Sequence, residues 1–137
     1  MSVTRERIQP QELHVRMVGG RTLFSHVVTV AGGGKQIFVS GQVANDKEGR
    51  PVGKGDMRAQ IEQVGKNIEA CLAAAGASLS DIVKTVTYVT DMEEFFKHVD
   101  MRMRTFGPAL PTSTTIEIKR LAHPDYMVEV EAIAVVD

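Results

Sequence analysis

From residue 57 onward the apolar positions fall at spacings of four and three: Met57, Ile61, Val64, Ile68, Leu72 and Ala75. That recurrence lays them along one side of a helix. Arg58, Gln60, Glu62, Gln63, Lys66 and Glu69 occupy the opposite side, so the helix is predicted to cover a core with one face and meet water with the other. Asp56 stands at the N-cap position and Gly76 at the position where a left-handed residue stops a helix. A second helical period starts after Asp91, with Glu94 three residues on as a capping box requires. Its stripe is Met92, Phe96, Val99, Met103 and Phe106, ending at Gly107-Pro108.

Elsewhere the period is two. Residues 13–17 alternate weakly as a short strand, and residues 26–30 form a β-branched run before the triple glycine at 32–34. No Gly-Lys-Ser/Thr follows that triplet, so it reads as the turn of a hairpin into the run at 35–39 rather than a phosphate loop. Asn45-Asp-Lys-Glu-Gly-Arg-Pro51 is a polar turn cluster. Residues 82–90, 113–119 and 127–136 complete the strands, the last two joined by Leu121-Ala-His-Pro-Asp125. The predicted order is ββ(β)-α-β-α-β-β, with a sheet of five or more strands whose two helices pack on one face.

In the last strand, alternation puts Val128, Val130, Ala132, Ala134 and Val136 on one face and Glu129, Glu131, Ile133 and Val135 on the other. Both rows turn apolar toward the end. A solvated sheet face stays polar throughout, so the second apolar row predicts burial against another subunit and hence a homo-oligomer.

Length and composition narrow the function. A chain of 137 residues, 43% hydrophobic and 24% charged, has room for one domain, taken as residues 1–137 with 1–12 as an N-terminal extension. A formal net charge of -1 and a pI near 6.4 offer phosphate backbones no basic surface, so nucleic acid is not an expected partner. Cys71, the single cysteine, is read as a reduced thiol packed among apolar residues. The start of the chain lacks the apolar run of a secretory signal and no later run is long enough to span a bilayer, from which a cytoplasmic address and no membrane partner are expected. His14, His26, His98 and His123 show no HxH or HExxH spacing, so no metal is expected, and His26 and His123 read as strand or loop residues. A Gly-x-Ser-x-Gly nucleophile elbow is missing from the sequence.

Three segments, Phe38-Val-Ser-Gly-Gln42, Ala73-Ala-Ala-Gly-Ala-Ser-Leu-Ser-Asp-Ile-Val-Lys-Thr85 and the stretch from Pro111 to Val135, resemble the RidA/YjgF/UK114 (Rid) family of imine and enamine deaminases. The resemblance runs from about Phe24 to Val136 and implies an α+β, chorismate-mutase-like fold. In it a mixed sheet carries two helices on one face and closes into a trimeric barrel. It further implies a cleft at each subunit interface where an imine or enamine is hydrolysed to a keto acid and ammonia, with no metal or organic cofactor. On that resemblance Glu129 matches the acid that orients water, a role that suits addition to a C=N carbon. Ser113, Thr114 and Thr115 match the segment where catalytic members carry a carboxylate-clamping arginine at the position of Ser113. Phe24 matches a common tyrosine, and Gly41 lets a ligand approach the backbone.

Serine cannot form the planar, charge-assisted pair that an arginine makes with a carboxylate. Each hydrogen bond of that kind is worth about 1.5–3 kcal/mol, so its loss alters substrate scope. Arg120 matches a different family position, and Arg102 and Arg104, on the second helix, are expected to be solvated. The leading expectation is thus a deaminase-type hydrolase of altered scope acting on a small molecule. The alternatives are a trimer that binds small molecules without catalysis and, third, an endoribonuclease or chaperone-like holdase.

Overall fold

The computed structural model of the chain describes residues 2–15, 17–22 and 24–137. Its elements run β1 (Thr4–Ile8), β2 (Met17–Val18), β3 (Arg21–Thr22), β4 (Val27–Ala31), β5 (Lys35–Val43), α1 (Met57–Ala74), β6 (Ile82–Val89), α2 (Met92–Lys97), α3 (Val99–Phe106), β7 (Thr112–Glu117) and β8 (Val128–Val136). The fold is mixed α+β.

Helix α1 begins where expected, the Asp56 carboxylate accepting from the Ala59 N–H at 3.0 Å. It ends with Gly76 at φ +80°, the Gly76 N–H donating to the Ala73 carbonyl and the Ala77 N–H to that of Leu72. This is the paired closure that a left-handed residue after the helix permits. Met57, Ile61, Val64, Ile68 and Leu72 are buried as the period predicts.

Gln60 corrects the expectation that it faces water, because it is 0% exposed. Its amide nitrogen donates to the carbonyls of Gly53 at 3.0 Å and Asp125 at 2.7 Å, and its Oε1 accepts from the Met127 N–H at 2.8 Å. Periodicity counts it as polar surface. In the fold it ties the loop before α1 to the start of β8.

Four strands form the main sheet, in the order β5-β8-β6-β7, rather than five or more. β8 pairs antiparallel with both neighbours, whereas β6 and β7 are parallel. Parallel neighbours need a crossover, and α2 and α3 supply it. Ile37, Val39, Ile82, Val128, Val130 and Ala132 meet α1, Phe95, Met101 and Phe106 in one core on a single face of this sheet.

The crossover is not the continuous helix predicted. It breaks at His98, whose φ of −120° and ψ of 22° leave the helical region. Asp91 caps it through the Glu94 N–H, but the Glu94 carboxylate turns to Lys97 at 3.0 Å and His98 at 3.3 Å instead of back to the cap. Beyond the break Met101, Arg102, Met103 and Phe106 are buried, while Val99 is only half-buried.

The N-terminal strands also depart from expectation. Leu13 lies in a turn, its N–H donating to the Pro10 carbonyl, and Arg16 lies outside the described residues. Met17 instead begins the two-residue β2, which pairs with β3, while β1 lies inside the segment read as an extension and pairs antiparallel with β4. The glycines at 32–34 all have positive φ and turn the chain as predicted. They do not close a hairpin, because β4 pairs with β1 and β5 with β8.

Replacing Gln60 by leucine leaves three partly buried backbone groups without their partner, at about 1–3 kcal/mol for each that water does not reach. Gln60→Leu is expected to lower unfolding stability by at least ~2 kcal/mol, read as a fall in the urea midpoint at unchanged slope. A loss under ~0.5 kcal/mol would show that water replaces the amide.

Candidate active site

Glu129 lies on the face of the sheet that the helices leave open. Register aligns it with Tyr88 on β6 and Val43 on β5. The β5–β8 register slips between Val39 and Gln42, which brings Gly41 under the Glu129 side chain. A Cβ on Gly41 would sit 2.1 Å from Glu129 Oε2, so glycine is needed there to seat the carboxylate itself. Sequence reasoning assigned this close approach to a ligand, and the acid fills it.

Beside it the Tyr88 hydroxyl donates to Glu131 Oε1 at 2.6 Å. That bond, followed by burial and the charges of Glu131 and Glu129, raises the Tyr88 pKa above its usual value near 10. Thr114 shares this face, in register with Val86 and Glu131. Phe38, 70% exposed, and Ile116 stand on the same face in contact with solvent.

Alternation sends Ser113 and Thr115 the other way. They pair with the buried Thr85 and Thr87 of β6 and line a cavity of about 310 Å³ under α2 and α3. Phe24 forms another part of its wall.

Phe24 is held by groups that no pattern singled out. Gln9 donates to the Phe24 carbonyl and accepts from the His26 N–H, both at 2.8 Å. Ser25, 2% exposed, donates its N–H to the Pro111 carbonyl at 3.1 Å and its hydroxyl to the Leu110 carbonyl. Leu110 adopts φ +47°, a region uncommon for a residue with a side chain, and turns the chain into β7. The His26 ring meets Phe24 edge-on at 5.2 Å.

Arg102 lines the same cavity and is 4% exposed, against the expectation of a solvated helix residue. Burial lowers its pKa to about 10, which leaves it cationic at neutral pH. Arg102 stands seven residues after Phe95 and four before Phe106, both buried, on a face that its charge concealed from a count of apolar residues. Arg104 is exposed, as expected.

The proposed site residues therefore fall into two groups. Gly41, Glu129 and Thr114 lie on the open face, whereas Phe24, Ser113 and Thr115 lie on the helix face. One chain does not unite them. His123 accepts from the Asp125 N–H at 3.0 Å in the loop before β8, and its ring lies 5.5 Å from Tyr126. Among the described residues no cluster of His, Cys, Asp and Glu could hold a metal, and no helix is long and apolar enough to cross a membrane.

Comparison with known proteins identifies the family. The family described as Endoribonuclease L-PSP matches residues 19–136. A RutC family protein of Pyrococcus abyssi is 41% identical over 101 residues, 74% of this chain and 79% of that protein. The crystal structure of a conserved Rid-family protein of unknown function from Yersinia pestis superposes with a TM-score of 0.82 at 29% identity, covering 96% of this chain and 98% of the other. The chain belongs to the Rid/YjgF family. Within that family it is also similar to the 2-iminobutanoate/2-iminopropanoate deaminase of Escherichia coli, at 36% identity over 107 residues, 74% of this chain and 80% of that enzyme.

The Tyr88–Glu131 contact sets a pH-dependent property of this Rid protein. A tyrosine with a raised pKa contributes stability below its ordinary pKa and loses it as pH climbs through the raised value. Ultraviolet titration is expected to show Tyr88 ionising above pH 10, and Glu131→Gln to lower that midpoint. A Tyr88 midpoint left unchanged by Glu131→Gln would contradict the contact.

Proposed function

We propose that this protein is a deaminase-type hydrolase of small imines or enamines, working at clefts between copies of the chain. The single observation that carries this reading is the Glu129 carboxylate seated on Gly41, on an open and partly apolar sheet face. Identity to 2-iminobutanoate/2-iminopropanoate deaminases supports it.

Glu129 would accept a proton from water as the water oxygen bonds to the C=N carbon. The tetrahedral carbinolamine then takes that proton on nitrogen. As its C–N bond breaks, the carbinolamine hydroxyl gives up its proton, which passes to the departing nitrogen, so one imine and one water give one keto compound and one ammonia.

A second copy is the natural occupant of the open face. Phe38 and Ile116 present apolar surface there, and the site residues are divided between the two sides of the sheet. Packing that face against its equivalent in two further copies gives a chorismate-mutase-like trimeric barrel. It would bring the helix-side residues of one copy near the open-face residues of the next. Binding without turnover is the second reading, favoured by the uncharged Ser113 beside the cavity; ammonia release decides between them. A nuclease reading gains nothing from a formal net charge of -1.

With 2-imino acids generated by an amino-acid oxidase and trapped by semicarbazide, the protein is expected to divert product from semicarbazone. Glu129→Gln should slow that diversion by roughly 10²–10⁴-fold, the usual worth of a positioned acid or base. Undiminished activity in Glu129→Gln refutes the assigned role. Phe38→Asp is expected to yield monomers by light scattering at concentrations where the unsubstituted chain is trimeric; a monomeric starting protein would remove the basis for the cleft.

A further inference from the structure

The cavity between β7 and the crossover helices has an unusual lining for its size. Aromatic and aliphatic groups from α2, among them Phe95 and Phe96, form one side, and the hydroxyl-bearing Ser113 and Thr115 form the other. Into this apolar surround projects a single charge type. Arg102 lines the wall, and no Asp or Glu occurs among the described residues that do so.

A guanidinium withdrawn from water is stabilised by an anion far more strongly than one at the surface, because the screening of bulk solvent is lost. It also has five N–H donors in a fixed planar fork, enough to receive a carboxylate in addition to protein partners. The adjacent hydroxyls can donate to the same oxygens, and the aromatic side accommodates a short hydrocarbon tail.

We infer that Arg102 binds the carboxylate of a small, short-chain organic acid in this cavity, with Ser113 and Thr115 as supporting donors. The inference deepens the proposed function, on which it rests for the nature of the site, by naming the residue that supplies the cation for a carboxylate-bearing substrate. The cation comes from the crossover helix α3 rather than from β7. At neutral pH it stays charged despite its burial. The apolar tail would lie against Phe24 and Phe96, and the walls leave space for a few carbon atoms, since about 310 Å³ falls at the small end of ligand pockets.

The test uses the full chain and 2-oxobutanoate, with the uncharged 2-oxobutanamide as control. Calorimetric titration of the unsubstituted protein is expected to show saturable binding of the acid and weaker binding of the amide. On NMR titration the Arg102 Nε–Hε resonance should shift in proportion to occupancy. Arg102→Met should weaken the acid at least tenfold, about 1.4 kcal/mol, while changing the amide less than twofold, and Arg102→Lys should recover part of the loss. Acid affinity unchanged in Arg102→Met, a silent Arg102 resonance at saturation, or no saturable binding by the unsubstituted chain each overturns the inference. If Arg102→Met does not fold, the resonance shift in the unsubstituted protein still decides. Hydrolysis is scored separately through Glu129→Gln: carboxylate binding at Arg102 without turnover sinks only the hydrolase reading, and turnover that ignores Arg102 sinks only this one.

Discussion

The parallel pairing of β6 with β7 is the constraint from which the rest of the molecule follows. Antiparallel neighbours can be joined by a tight turn, but parallel ones must be connected by chain that travels back across the sheet. Here that return path is α2 and α3, and it lands on the face already occupied by α1. Three helical segments on one side give a deep core. On the other side Phe38, Thr114 and Ile116 are exposed, beside the polar pair of Tyr88 and Glu131 and the carboxylate of Glu129.

Strand alternation then distributes chemistry with little freedom. Residue 113 is odd in a strand whose odd positions point under the crossover, so Ser113 and Thr115 meet the helices and Thr114 does not. Glu129 occupies the opposite sense on β8, where the slip in the β5–β8 ladder supplies Gly41 as its seat. A one-residue change of register in either strand would exchange these roles wholesale. The division of polar groups between two sides is thus a property of the pleat, and it makes association between copies chemically meaningful.

Much of this was legible before any coordinates. Helix α1 declared itself through spacing, Asp56 and Gly76, because its cap and its stripe agree. The faces of β8 followed from alternation alone. What periodicity could not supply was long-range polar pairing. Gln60 looks like surface by residue type and is buried because backbone groups 7, 65 and 67 positions away use its amide. Arg102 was hidden for a related reason: it lies on the face of buried Phe95 and Phe106, and a stripe counted from apolar residues alone passes over a charged one. The N-terminal strand was missed because Thr4–Ile8 carries three consecutive charged residues and draws its order from pairing with β4 rather than from an apolar face.

The attachment of Phe24 has a dynamic consequence. That residue is fastened by Gln9 and Ser25 through a handful of polar bonds, in a part of the chain whose strands pair only with each other and bury little apolar surface. Segments with few apolar ties open locally at a small fraction of the free energy of global unfolding. The aromatic wall of the cavity therefore hangs on polar bonds rather than on a packed core, and those bonds set the free energy of its local opening.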